Sequence, residues 1–245
     1  MKYHIIRLEN TDSTNQYALD LLDKGPVTEG TIIITENQTA GRGVDGNNWE
    51  SEPGKNLTFS LVIHPEYLSV ESQFYLNKVF SLSIFDLVKK RTGEVTRIKW
   101  PNDVYVEKGK IAGILIQNGI QGNRFTYCIA GIGLNVNQER FSPMEVSAVS
   151  LKIATGKKYD LDFILEELCE NISERLGMLS RGDWELIDHD YHSVLYRLDE
   201  RAGYLYHGKK IKAKITGVDK YGHLLLETTE HKSLKCDLKE VKFII

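Results

Sequence analysis

The sequence has no long apolar run. Its most apolar stretches, 32–34 and 111–116, fall far short of the roughly 20 residues that a membrane-crossing helix needs, and the opening Met1-Lys2-Tyr3-His4 has no apolar signal region. A cytoplasmic chain with no membrane partner is expected. Cysteine is scarce: Cys128, Cys169 and Cys236 are odd in number, widely spaced and without a CxxC pair, which argues against a disulfide framework. Basic residues are not in excess either. Lys and Arg total 31 against 34 Asp and Glu, a formal charge of −3, the wrong balance for a protein that lives on nucleic acid phosphates. Internal repeats, low-complexity tracts, coiled-coil heptads and a Ser-His-Asp elbow are all missing.

What remains is an ordinary globular composition of 245 residues, 41% hydrophobic and 27% charged. Area scaling gives a folded surface of roughly 11,000 Å² against about 40,000 Å² unfolded, enough burial for one large core and a small satellite. Charge is unevenly spread. From Arg201 onward ten basic residues face five acidic ones, net +5, while the preceding 200 residues carry net −8, so two regions are expected.

Along the chain, residues 3–8 read as a strand, followed by several helix N-cap candidates at 10–15 and a helix ended by Gly25-Pro26. Strands are expected at 31–35 and 57–63, with a glycine-rich loop between them. Residues 70–88 are apolar nearly all round and predict a buried helix closed by Gly93. A hairpin is expected over 97–117 with its turn at Lys108-Gly109, then a strand pair over 125–136. Leu161, Leu165, Leu168, Ile172 and Leu176 mark one face of a helix, and 183–191 a shorter one. From Tyr204 short β runs alternate with turns up to 241–245, a small all-β unit.

Three constellations can carry chemistry. Gly41-Arg42-Gly43-Val44-Asp45-Gly46 matches GxGxxG after a strand, but 47–54 is too polar and interrupted for the helix a Rossmann site needs. It is either a surface turn or a flexible anion-binding loop, in which Arg42 approaches a phosphate and Trp49 offers a face to a purine. Lys99-Trp100-Pro101-Asn102-Asp103 puts a lysine beside a proline-fixed corner, or else a solvated lysine at a strand end. Gly131-Ile132-Gly133-Leu134-Asn135-Val136-Asn137 places two glycines inside a strand, signalling a bulge or the close approach of another group, with Asn135 near a ligand edge. His189 and His192 have helical spacing but no third ligand, so surface histidines are expected and no metal site.

Taken in order, Ser13-Thr14-Asn15, Gln38-Thr39-Ala40-Gly41-Arg42-Gly43, Trp49, 99–103, Lys110-Ile111-Ala112-Gly113-Ile114-Leu115 and 131–137 resemble the biotin protein ligases. The likeness runs through Ala148-Val149-Ser150-Leu151 and the C-terminal β unit. It implies an α+β fold: a class II synthetase-like catalytic domain, 1–196, with a mixed sheet and flanking helices, and a Src-homology-3-like β-barrel, 197–245. No winged-helix DNA-binding domain is expected ahead of the strand at Tyr3.

The implied reaction joins biotin and ATP into biotinyl-5′-AMP and pyrophosphate, then passes biotin to a lysine of a biotin carboxyl carrier protein or carboxylase subunit. Mg²⁺ accompanies ATP, and its protein ligands are not assigned. Lys99 and Arg42 become the implied catalytic cations. Ser13, Thr14, Asn15, Gln38, Gly41, Arg42, Gly43, Lys99 and Gly113 become the biotin contacts, and Arg42, Trp49, Lys99, Asn102 and Asn135 those of ATP and the adenylate. Residues 41–49 are expected to act as a lid, since the mixed anhydride hydrolyses in water. Many relatives carry a second loop arginine where this chain has Val44, so looser retention of the adenylate is expected. Within the superfamily a lipoate or octanoate transferase is the alternative enzyme, and a biotin sensor without turnover the alternative of another class. Exposed edge strands can pair two copies into a homodimer.

Overall fold

The computed structural model describes residues 1–46, 48–142 and 147–244. The chain folds as a mixed α+β unit with a separate antiparallel sheet, the class the sequence predicts. Strands β1 (His4–Thr11), β2 (Thr31–Gln38), β3 (Leu57–Ile63), β4 (Thr96–Lys99), β5 (Asp103–Val106), β6 (Gly109–Gln121) and β7 (Arg124–Leu134) form one sheet in the order β1-β2-β3-β7-β6-β5-β4. β1 runs parallel to β2 and every other pairing is antiparallel.

Alternation sorts β2, β3 and β7 between the two faces. Ile32, Leu61 and Ala130 join the main core, whereas Ile33, Val62 and Ile129 form a satellite with Ala18 of α1 (Thr14–Lys24). Both faces of these strands are covered, which is why their sequences read as continuous apolar runs. Ser13 caps α1, its hydroxyl accepting the Gln16 N–H at 3.4 Å. On the opposite face lie α2 (Phe74–Thr92), α3 (Leu151–Thr155), α4 (Leu161–Arg181) and α5 (Trp184–Ser193). α2 is apolar nearly all round because it packs against both the sheet and α4 and α5. Arg175 of α4 holds the carboxylates of Asp86 and Asp190 at 2.8 and 2.5 Å, tying three helices together.

A second, five-stranded antiparallel sheet follows: β8 (Arg201–Tyr206), β9 (Lys209–Val218), β10 (Leu224–Thr228), β11 (Ser233–Cys236) and β12 (Val241–Phe243), ordered β11-β10-β9-β8-β12. Its inward residues Tyr204, Ile215 and Leu226 are continuous with the main core, so the satellite is the cluster under α1 rather than this sheet.

The structure corrects three expectations. Residues 124–134 form one strand, not a pair, because Gly131 and Gly133 are packed against side chains instead of turning the chain. The hairpin turn is Glu107-Lys108, one residue earlier than expected, with Glu107 at φ 53°. His192 is half-buried and engaged rather than free on the surface: its Nε2 accepts the Val218 N–H at 3.0 Å and its Nδ1 lies 2.7 Å from the Asp188 carbonyl, joining α5 to β9.

Candidate functional site

The register of the large sheet builds the site. On the face that α1 covers, Val62 and Ile129 lie opposite each other, and the next two rows along are Ser60 with Gly131 and Thr58 with Gly133. On β6 the same rows continue as Leu115 and Gly113. The apolar face therefore changes to glycine and hydroxyl where α1 begins, leaving an open cleft of about 1,120 Å³ whose other wall comes from the second sheet.

The floor is polar and buried. Thr14 donates its backbone N–H at 2.9 Å and its hydroxyl at 3.3 Å to Oε1 of Gln38. Asn15 donates through Nδ2 to Oε1 of Gln117 at 2.8 Å and to the Leu115 carbonyl at 3.2 Å. Ser60, completely buried, reaches Thr14 Oγ1 at 2.7 Å and Asn15 Oδ1 at 2.6 Å. A Cβ on Gly131 would overlap the Asn15 amide, which is the close approach that the in-strand glycines signalled.

The indole of Trp49 lies over Gly133 and Gly113, where a Cβ at Gly133 would run into its ring. Its Nε1 is buried with no partner among the described residues. The loop ahead of it closes on itself: the Trp49 N–H donates to the Gly41 carbonyl at 3.0 Å and Arg42 bridges Asn48. Gly41 is buried beneath Gln38 and Trp49, while Arg42, Gly43 and Val44 line the cleft. Asn47 and the Asp45 side chain lie outside the described residues, so the expected lid over 41–49 stays an expectation.

Lys99 ends β4 at the cleft, its Nζ 4.9 Å from the ring centre of Phe243 and 5.2 Å from that of Tyr105. The adjoining Trp100-Pro101 bond is cis, and Asn102 then donates through Nδ2 to the Ile114 carbonyl while lining the cleft. Burial pushes the Tyr105 hydroxyl pKa well above the usual phenol value, helped by Asp103, so it stays a neutral neighbour for Lys99.

Not every expected residue arrives. Ser13, Thr14, Asn15, Gln38, Arg42, Gly43, Trp49, Lys99, Asn102 and Gly113 all line the cleft, whereas Gly41 and Asn135 do not. Asn135 is buried behind the wall, where its Nδ2 donates to the Val149 carbonyl at 3.1 Å and holds the segment following Ser147. Sequence reasoning also missed residues. Lys110 lines the cleft, paired with Asp103 at 2.7 Å and 5.7 Å from the Trp49 ring centre. The signal was its place in the run 110–115. Lys210, Lys239 and Lys242 of the second sheet's wall also face in. Among the described residues, six cations and one carboxylate thus line one cleft of a chain whose net charge is −3.

A cleft that joins a polar floor to a ring of cations is the setting in which the comparisons with known proteins speak. The biotin/lipoate A/B protein ligase family matches residues 8–135. The chain belongs to that family. It is 33% identical over 168 residues to the biotin--[acetyl-CoA-carboxylase] ligase of Paracoccus denitrificans, covering 66% of this chain and 68% of that protein. It is 28% identical over 233 residues to the bifunctional ligase/repressor BirA of Bacillus subtilis, covering 94% of this chain and 71% of that one. Among solved structures, the biotin protein ligase from Aquifex aeolicus in complex with biotin and ATP superposes with a TM-score of 0.80 at 29% identity, over 98% of this chain and 99% of that chain.

Among the described residues no helix is long and apolar enough to cross a membrane, and no group of three His, Cys, Asp or Glu could hold a metal ion. Among the described residues, the carboxylate on the cleft wall is that of Asp103, engaged by Lys110.

Proposed function

We propose that this protein is an ATP-dependent biotin protein ligase that makes biotinyl-5′-AMP and transfers biotin to a lysine of a carrier domain or carboxylase subunit. The observation that carries this reading is the single cleft in which a buried polar floor at Thr14, Asn15 and Gln38 adjoins the cations Arg42, Lys99 and Lys110. In the first step the biotin carboxylate attacks the α-phosphorus of ATP and pyrophosphate leaves. Two anions must meet, so the protein's contribution is positioning and positive charge where negative charge builds up. Lys99, Lys110 and Arg42 supply that charge, Lys110 oriented by Asp103. Trp49 offers its indole to the adenine, and Asn102, its Nδ2 committed to Ile114, keeps Oδ1 for the exocyclic amine.

In the second step the acceptor lysine's neutral amine attacks the acyl carbon, AMP departs, and the surplus proton leaves with the amine's solvent. Residues 1–196 form the catalytic domain in this reading and 197–245 a small β domain whose lysines reach the triphosphate. A nucleotide substrate and a carboxylase acceptor suit the cytoplasm. The test is biotin-dependent exchange of labelled pyrophosphate into ATP. Exchange that requires biotin supports the reading, and its absence with intact biotin binding supports the sensor instead.

A further inference from the structure

Counting protons on the cleft floor leads beyond the assignment of a family. Thr14 spends both its N–H and its hydroxyl proton on Gln38 Oε1, and Asn15 spends both Nδ2 protons on Gln117 and Leu115. Two oxygens remain, Thr14 Oγ1 and Asn15 Oδ1, and among the described residues the Ser60 hydroxyl is the recorded donor to both, at 2.7 and 2.6 Å. A hydroxyl has one proton, so at Thr14 and Asn15 two acceptor oxygens compete for one donor. Because each unmade bond in a buried site is costly, a ligand that brings N–H groups is favoured over one that brings none.

Resting on the ligase reading, we propose that Ser60 and Gln117 are positioning residues that fix this shortage of protons and so select a cyclic urea over a dithiolane or a plain acyl chain. Gln117 accepts from Asn15 Nδ2 and Ser60 donates toward Oδ1; together they hold the amide one way round. Gly131 makes room for it, since any side chain there would overlap the amide. With the lock broken the amide turns, presents Nδ2 to the cleft, and the preference for N–H donors falls. Neither locking residue is among the cleft-lining residues, so each acts through Asn15 and Thr14.

The experiment compares KM for biotin, dethiobiotin, lipoate and octanoate in ATP–pyrophosphate exchange for the wild type, Ser60→Ala, Gln117→Leu and Gln117→Glu. Ser60→Ala and Gln117→Leu are expected to raise KM for biotin and dethiobiotin about 10-fold or more while KM for ATP stays within 2-fold, and to narrow the preference over octanoate by a similar factor. Gln117→Glu, which keeps an acceptor for Nδ2, is expected to stay within about 3-fold of the wild type. Equal changes for biotin and octanoate, or an unchanged KM for biotin in both Ser60→Ala and Gln117→Leu, would overturn the proposal. Should Ser60→Ala fail to fold, the Gln117 pair decides alone. A wild type without biotin-dependent exchange would instead remove the ligase reading itself.

Discussion

The indole N–H of Trp100 donates to the carbonyl of Gly222 at 2.9 Å, fastening the corner that carries Lys99 and Asn102 to the turn between β9 and β10. Gly222 sits at φ 94°, and a Cβ there would overlap Phe74 of α2. The second sheet thus helps hold this wall of the cleft in place, through a bond at a site only glycine fits.

Trp100→Phe, which removes the N–H and keeps most of the apolar ring, is expected to lower kcat/KM for ATP by roughly 5- to 10-fold, equivalent to a bond of about 1–1.5 kcal/mol. Gly222→Ala is expected to lower stability by about 2 kcal/mol through the strained φ and the overlap. Steady-state kinetics and urea unfolding check the two.

Gly131 and Gly133 lie two residues apart on one face of β7, yet different side chains press on them: Asn15 on the first, Trp49 on the second. Gly131→Ala should therefore raise KM for biotin by at least 10-fold, and Gly133→Ala KM for ATP by a similar factor, each leaving the other constant less affected. Matching losses of both constants in both variants would contradict the division of the cleft.

Lys210, Lys239 and Lys242 are exposed on the second sheet's side of the cleft and make no ion pair among the described residues. Replacing all three by Gln is expected to raise KM for ATP about 10-fold, more steeply at low salt, while transfer from preformed biotinyl-5′-AMP to a carrier changes less than 2-fold. A fall confined to the transfer step would assign these lysines to carrier docking.

Asp219 organises the β9–β10 turn. Although partial burial opposes it, Lys235 at 2.8 Å, His223 and the Tyr221 and His223 N–H groups hold its carboxyl well below the usual range. The folded state thus favours the ionised form, a stabilisation present above about pH 4 and lost as pH falls further. In urea unfolding, Asp219→Asn should be less stable than the wild type at pH 7, with the gap closing below pH ~4.

Much of the fold was legible because local signals agree with it. Ser13 caps α1, Gly93 closes α2, and the run 57–63 is β3 to the residue. The strand pair expected over 125–136 failed because glycine in a strand signals either a turn or a close neighbour, and the neighbours, Asn15 and Trp49, lie far away in sequence. Ser60 shows the same limit for the site. Thr58 and Ser60 are polar at every second position of an otherwise apolar strand, but only pairing with β7 reveals that their face is the cleft floor. Asn135 misled in the opposite direction: it follows the right glycines, yet the chain beyond Leu134 turns it away from the cleft toward Val149.

The most direct test of the account mixes the purified protein with ATP, Mg²⁺, labelled biotin and a biotin carboxyl carrier domain, and follows label on the acceptor lysine with lipoate and octanoate as competitors. The account predicts biotin transfer that neither competitor suppresses and that Lys99→Ala or Lys110→Ala lowers by 100-fold or more, about 2.7 kcal/mol of transition-state stabilisation. Tight biotin binding with no labelled acceptor, or labelling that octanoate outcompetes, would contradict it.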